Sequence, residues 1–363
     1  MNRSALMKRL ATAGTTNRMK IVQKLPKSVV LLVVVGLVAA SVGAGIALAR
    51  GTATPIGTGV VVIDTNLAYQ GSAAAGTGMV LTSSGEVLTN NHVISGATTI
   101  KVIVPNTGHS YRARVVGYDR TGDVALLQLQ GASNLKTVSV SSTKLTVGAT
   151  VTALGNAGGT GSLTSVTGTV TGLGKSITAS DGGGDSEQLT GLIETNAGVQ
   201  PGDSGGPLLD SQGQVVGMDT AASLQLGFQN ASATDAYAIP IANALTIAQA
   251  ISSGKASATV HIGATAFLGI EVESVNAAAY GYGGASASGA LVAGVVSGGP
   301  AARAGLTAGD VITAIDGRTL SSPTAISSSV LLRKPGAKIR VAYVDQSGAS
   351  HASTVTLGSG PPQ

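Results

Sequence analysis

The chain of 363 residues has no cysteine and no tryptophan, only two phenylalanines, and aromatic residues amount to 2% of it. The missing cysteine excludes structural disulfides, iron–sulfur clusters, thiolate catalysis and cysteine zinc sites together. So few rings argue against an aromatic cage or a base-stacking nucleic-acid surface, and they leave Val, Ala, Leu and Ile to build the core. Charged residues are sparse too, at 11% against 43% hydrophobic. That balance belongs to a chain that packs a core, and the length gives room for two domains without metal or disulfide staples.

The net charge of +5 is confined to one end. Residues 1–49 hold seven basic residues (Arg3, Lys8, Arg9, Arg18, Lys20, Lys24 and Lys27) and no acid, while the remainder has 15 basic and 17 acidic residues. A polyanion-binding body is unsupported, so no nucleic-acid partner is expected. From Ser28 to Ala49 no charge occurs for 22 positions. At about 1.5 Å per residue a helix of that length spans a hydrocarbon core. The sequence therefore predicts a basic cytoplasmic tail over 1–27, a transmembrane signal anchor over 28–49 as the membrane contact, and export of everything beyond. Ala47-Leu48-Ala49 has the small-x-small form of a cleavage site, so a cleaved, secreted form competes with the anchor.

After a linker over 50–58, short Val/Ile/Thr-rich runs recur between Gly, Asn, Asp and Ser clusters: Thr99 to Val104, Arg112 to Tyr118, Ala125 to Leu129, Val166 to Leu173 and Gln214 to Met218. This spacing predicts an antiparallel barrel or sandwich over 59–254. One helix closes it, from Ile241 to Ser253, with Pro240 before and Gly254 after. Residues 255–262 are small and polar and read as a linker. A smaller α+β domain follows over 263–357, then a tail over 358–363. Two stretches, Ser180 to Ser186 and Ala277 to Gly289, read as mobile loops.

The sharpest local feature is Gly202-Asp203-Ser204-Gly205-Gly206-Pro207. A serine among glycines sits on a tight turn that exposes its hydroxyl and points successive N–H groups into one small space, where the oxyanion of an acyl intermediate would form. A serine hydroxyl needs a general base, itself oriented by an acid. His92 lies where the apolar run at Leu88 breaks into Thr89-Asn90-Asn91-His92, and Asp123 lies at the mouth of Val124 to Leu127. The chain order His, Asp, Ser is that of the chymotrypsin-type triad.

These motifs, with Gly76-Thr77-Gly78, Ala153-Leu154-Gly155-Asn156, Glu194 to Pro207 and Ala236 to Pro240, resemble the HtrA (DegP-like) family of trypsin-fold serine proteases. The resemblance implies a mainly β fold: a chymotrypsin-like double β-barrel, then a small α+β PDZ domain. It implies His92 as general base, Asp123 as its orienting partner and Ser204 as nucleophile, with an oxyanion hole from the amides of Gly202 and Ser204, to which Asp203 lends only its backbone. Val199 and the strand Ala236, Tyr237 and Ala238 would border a small apolar substrate pocket, which suits cleavage after small aliphatic residues. No cofactor is required, neither nucleotide nor metal. The expected partners are unfolded or exported protein substrates. The family pattern usually has Asn where this chain has Asp203, and its Asn-Pro-Phe-Gly loop appears as Asn156-Ala157-Gly158-Gly159. A homotrimer also follows from the resemblance, although Tyr69 is the sole counterpart of the aromatic residues by which relatives trimerise.

The second domain resembles a PDZ domain in the bacterial arrangement through Phe267-Leu268-Gly269-Ile270, Gly299 to Leu306 and Gly309-Asp310-Val311-Ile312. The first of these looks like the loop whose amides capture a peptide's C-terminal carboxylate. Two other patterns are set aside. Gly174-Lys175-Ser176 imitates a phosphate loop, but Thr169 stands at the first Gly and no helix follows. His109, His261 and His351 are isolated, without the spacing of a metal site. A peptide sensor or holdase of weak protease activity is the alternative from another class; all three catalytic residue types being present favours the enzyme.

Overall fold

The computed structural model describes residues 56–180, 186–222, 235–274, 289–320 and 322–363. The basic tail, the uncharged run 28–49 and residues 50–55 of the linker after it lie outside the described residues, as do most of the two stretches read as loops. Among the described residues no helix is long and apolar enough to cross a membrane. Ala53–Gln363 forms one unit.

Its first sheet contains β1 (Val60–Leu67), β2 (Ser72–Val80), β3 (Glu86–Thr89), β4 (Thr99–Val104), β5 (His109–Asp119) and β6 (Val124–Leu129), with the one-turn helix α1 (Asn91–Ile94) after β3. The order is β5-β4-β1-β2-β3-β6, and β5 also pairs with β6, so the sheet closes on itself. A second sheet is a closed barrel in the order β10-β11-β12-β9-β8-β7. Its strands are β7 (Thr150–Gly155), β8 (Thr164–Ser180), β9 (Ser186–Thr195), β10 (Pro207–Leu209), β11 (Val215–Ala222) and β12 (Ala236–Pro240).

Strand alternation distributes the aliphatic residues among three cores. In β1, Val61 and Ile63 point into the first barrel with Val87, Val102 and Leu127. Val60 points the other way and joins Met79, Leu88 and Leu126 against Leu192, Met218 and Ile239 of the second barrel. A third cluster, with Val151, Ala153, Ile193 and Leu208, fills the second barrel. The middle cluster bonds the two barrels face to face. Helix α2 (Ile241–Ser252) seals it, because Ile241, Ala244, Ala248 and Ile251 recur every three or four residues and form one buried stripe. The sequence placed this helix at Ile241 to Ser253, one residue longer.

The C-terminal part begins with β13 (Val260–Ile262), β14 (Thr265–Phe267), β15 (Ile270–Ser274), β16 (Ala290–Val295) and α3 (Pro300–Arg303). It continues with β17 (Val311–Ile315), β18 (Arg318–Thr319), α4 (Pro323–Leu331), β19 (Lys338–Val344), β20 (Ser350–Thr356) and β21 (Gly358–Gly360). The main sheet runs β15-β16-β17-β19-β20, and its apolar face packs on α3 and α4 around Leu306, Ile312, Ile326 and Val341. The β17–β18 hairpin turns at Asp316 and Gly317, whose φ values of 50° and 79° are those a two-residue turn of this hand requires.

Two boundaries differ from the sequence reading. Residues 255–262 are not a plain linker: β13 hydrogen-bonds to the outer edge of β5, pairing Val260 with Asp119 and Ile262 with Gly117. Three residues are too few to show a strand period, and an open edge elsewhere in the chain supplies the pairing. Residues 358–363 are not a loose tail either. β21 pairs with β14, and Pro361 and Pro362 are buried. The Gly96 N–H donates to Pro362 O at 2.8 Å, and Asn91 Nδ2 donates to Gln363 O at 3.2 Å. Gly360 tolerates this pairing because a Cβ there would collide with the Phe267 ring. The Tyr118 hydroxyl pairs with Thr265 Oγ1 at 3.2 Å, and the rings of Tyr69 and Phe267 stack at 5.2 Å. Tyr69, the residue singled out for trimer contacts, thus packs on the C-terminal domain of its own chain.

Candidate active site

The candidate residues come from loops at the seam between the two barrels. His92 sits in α1, directly after the buried end of β3, where Asn90 has an extended backbone that starts the helical turn. Asp123 closes a turn whose N–H donates to Arg120 O at 3.1 Å, just before β6. Its φ of 49° lies in the left-handed region, which Asp tolerates better than most residues. Asn90 Nδ2 donates to Asp123 O at 2.9 Å, tying this turn to the strand that carries the histidine.

Asp123 grips His92 twice. Its Oδ1 accepts the backbone N–H of His92 at 3.0 Å, and its Oδ2 lies 2.9 Å from Nδ1. A buried carboxylate facing Nδ1 holds the proton there and leaves Nε2 as the basic nitrogen. The Thr220 hydroxyl, buried in β11, donates to the same Oδ2. Asp123 is 4% exposed whereas the His92 side chain is 41% exposed, so the acid is enclosed and the base faces the cleft.

The loop of Ser204 is shaped by close backbone packing. Gly202 and Gly205 have φ of 99° and 83°. A Cβ on Gly202 would strike Asn156 O, one on Gly205 would strike Thr77 O, and one on Gly206 would strike Leu154 O. Only glycine fits at these three positions. Thr77 then ties the loop down: its N–H donates to Ser204 O at 2.9 Å, its hydroxyl donates to Gly202 O at 2.7 Å, and the same hydroxyl accepts from Asn156 N at 2.9 Å. Pro201 O accepts from Gly158 N at 2.7 Å. Among the described residues the amides of Gly202 and Ser204 make no hydrogen bond. Between them the Asp203 N–H donates to Gln200 O at 3.0 Å, because the turn closes on itself there. The Asp203 carboxylate, whose partner the sequence left open, accepts from Gln200 N at 2.9 Å through Oδ2. Ser204 Oγ donates to Thr220 O at 3.4 Å, a long contact that holds the hydroxyl weakly.

The residues expected to border the substrate pocket are packed in apolar clusters. Val199, Ala236 and Ala238 belong to the core inside the second barrel, and Tyr237 points to the opposite face with its hydroxyl on Glu194 Oε1 at 3.4 Å. All four are buried, because adjacent residues of β12 alternate between two apolar clusters. The preceding segment, 223–234, lies outside the described residues. An open cavity of about 480 Å³ flanks Gly202, lined by Asp64, Ala73, Ala74, Ala75, Gly158 and Gly159.

In the C-terminal domain, Phe267, Leu268, Gly269 and Ile270 form the connection from β14 to β15. Gly269 has φ of 78°, and the carbonyls of Leu268 and Gly269 accept from Ala301 and Val296 at 3.0 Å each. β15 is an edge strand with α4 packed against it. Lys175 lies within β8 and pairs with Glu194 at 3.1 Å, so no helix opens at Gly174-Lys175-Ser176. Among the described residues no three His, Asp or Glu side chains converge as a metal site.

Sequence comparison agrees with this geometry. A trypsin-like peptidase domain model matches residues 76–218 and a PDZ domain model matches residues 266–353. The serine protease PepD of Mycobacterium tuberculosis is 34% identical over 314 residues, covering 82% of this chain and 63% of its own. The periplasmic pH-dependent serine endoprotease DegQ of Escherichia coli is 35% identical over 269 residues, covering 73% and 55%. The chain belongs to the HtrA family of trypsin-fold serine proteases. It spans 55–63% of the length of these curated relatives.

Thr77 and Thr220 were the residues of this HtrA site that sequence reasoning did not single out by role. The signal for Thr220 was present: Asp219-Thr220 places two polar residues at the end of an apolar strand. Replacing Thr77 with Val keeps the shape but strands the Asn156 N–H and the Gly202 carbonyl. Thr77→Val should lower stability by about 1–3 kcal/mol. Thermal unfolding measures this, and an unchanged midpoint would show that the hydroxyl cross-link is dispensable.

Proposed function

We propose that this chain is a membrane-anchored, extracytoplasmic endopeptidase that cleaves unfolded or exported proteins through a Ser204 acyl-enzyme. The observation that carries the reading is the double hold of Asp123 on His92, bridged through Thr220 to the loop of Ser204. In this mechanism His92 Nε2 takes the proton of Ser204 Oγ as the oxygen attacks the scissile carbonyl. The amides of Gly202 and Ser204 then donate to the oxyanion. Asp123 stabilises the imidazolium, which passes its proton to the leaving amine, and water repeats the sequence on the ester. The leaving-group side of the substrate would lie in the cavity beside Gly202, whose alanine and glycine walls admit a polypeptide backbone.

A serine-directed fluorophosphonate should label the parent chain and fail to label Ser204→Ala. Casein cleavage should proceed without nucleotide and fall by several orders of magnitude in His92→Ala. Labelling of Ser204→Ala at the parent rate would remove Ser204 from the mechanism.

The PDZ domain is assigned to peptide C-termini. Backbone amides in the loop Phe267 to Ile270 would bind the carboxylate, while the peptide adds a strand to the edge of β15. Because a hydrogen bond to a charged group contributes roughly 1.5–3 kcal/mol, amidating an apolar-ended peptide should weaken binding about tenfold or more. Calorimetry on full-length Ser204→Ala measures this, and equal affinity for both peptide forms would make the loop structural.

Anchoring is assigned to residues 28–49 from their uncharged length. The protein should stay with membranes through a high-salt wash and leave with detergent. A soluble extracellular form beginning near Arg50 would show instead that the segment is cleaved.

A further inference from the structure

Behind the nucleophile loop lie two carboxyl groups that the mechanism above does not use. Asp219 is fully enclosed, with 0% exposure, and Asp203 is 5% exposed. Neither oxygen of Asp219 has a hydrogen-bond partner among the described residues, and Oδ1 of Asp203 has none either. Three enclosed carboxyl oxygens in one place therefore lack a donor. Two ionised carboxylates cannot occupy such a site without a large electrostatic cost.

The backbone of Asp219 is part of the loop's scaffold. Its carbonyl accepts from Gly205 N at 2.8 Å, and its N–H donates to Gly206 O at 2.8 Å. The next residue, Thr220, contacts both Ser204 and Asp123. Displacement of Asp219 would thus move both ends of the catalytic constellation.

The ionisable groups on the surrounding elements are otherwise engaged. Glu194 of β9 is held by Lys175 and Tyr237, and Asp123 is held by His92 and Thr220. β7 and β10 carry no ionisable residue, and Asp219 faces Ala238 across β12. Burial, reinforced by the neighbouring charge of Asp203, raises the Asp219 carboxyl well above the usual carboxylate range. Asp203 is raised as well, chiefly by burial, with the Gln200 N–H opposing.

We propose that Asp219 is a positioning residue carried as a neutral acid: with its proton in place the enclosed pair holds no more than one charge, and losing it loosens the Gly202–Gly206 loop. The proposal deepens the serine-protease reading and rests on it for its kinetic arm. The sign follows from linkage. A group held protonated in the folded chain and ionised in the unfolded chain contributes stability that declines as pH rises through its folded value. Folding and catalysis should therefore weaken as pH rises from the ordinary carboxylate range toward the raised folded value.

The test compares the full chain with Asp219→Asn, an isostere that donates a hydrogen bond and cannot ionise. Thermal midpoints and kcat/KM are followed from mildly acidic to alkaline pH. Because the variant has no carboxyl to ionise there, the fall carried by this group should be lost from both readouts, so that the high-pH to low-pH activity ratio rises about tenfold over that of the parent. A pH dependence identical in parent and variant would overturn the proposal. The unfolding arm needs no turnover, so an inactive chain with the expected shift would sink the protease reading and leave this one standing. If Asp219→Asn does not fold, infrared spectroscopy of the parent decides. A protonated-carboxyl band that persists above the ordinary carboxylate range and vanishes on unfolding supports the assignment, and its absence overturns it.

Discussion

Thr77 joins the two barrels at the point where the candidate chemistry sits. Its amide and hydroxyl bind the carbonyls of Ser204 and Gly202, and its own carbonyl accepts from Thr89 Oγ1 at 2.7 Å. The nucleophile loop belongs to the second barrel, yet it is held to β2 and β3 of the first. Thr89 in turn lies three residues before His92. The hydrogen bonds of one enclosed threonine therefore set the position of the loop relative to the strand that delivers the base. The three glycines of the loop follow from the same constraint, since the carbonyls gathered around Thr77 leave no room for side chains.

A similar economy governs the second domain. With few aromatic residues available, the contact between domains relies on backbone pairing and on three rings. β13 extends the first barrel, β21 closes on β14, and the stack of Tyr69 on Phe267 places the proposed carboxylate loop directly against the protease. Residues 361–363 reach the turn beside His92. The loop Phe267 to Ile270 and the turn beside His92 are thus physically connected through main-chain pairing, the Tyr69–Phe267 stack and the Asn91 side chain.

Local sequence was enough to assign the three candidate catalytic residues, because each sits in a short pattern with its own physical reason: a serine flanked by glycines, and a histidine and an aspartate where apolar runs turn polar. The runs Thr99–Val104 and Val311–Ile315 and the stripe of α2 were legible for the same cause, since side-chain alternation or helical spacing is a property of neighbouring residues. What local pattern did not reach is what depends on partners far along the chain. The Thr77–Gly202 hydrogen bond spans 125 positions and the Asn91–Gln363 contact spans 272. The strand nature of 260–262 and 358–360, the burial of Val199 and Ala236 to Ala238, and the enclosure of Asp203 with Asp219 arise only when separate strands supply the missing edges and walls. Composition and short-range pattern determined most of the longer elements and the candidate catalytic side chains. Tertiary packing decided which polar groups find partners, because a hydrogen bond or its absence is settled by what closes over the group in space.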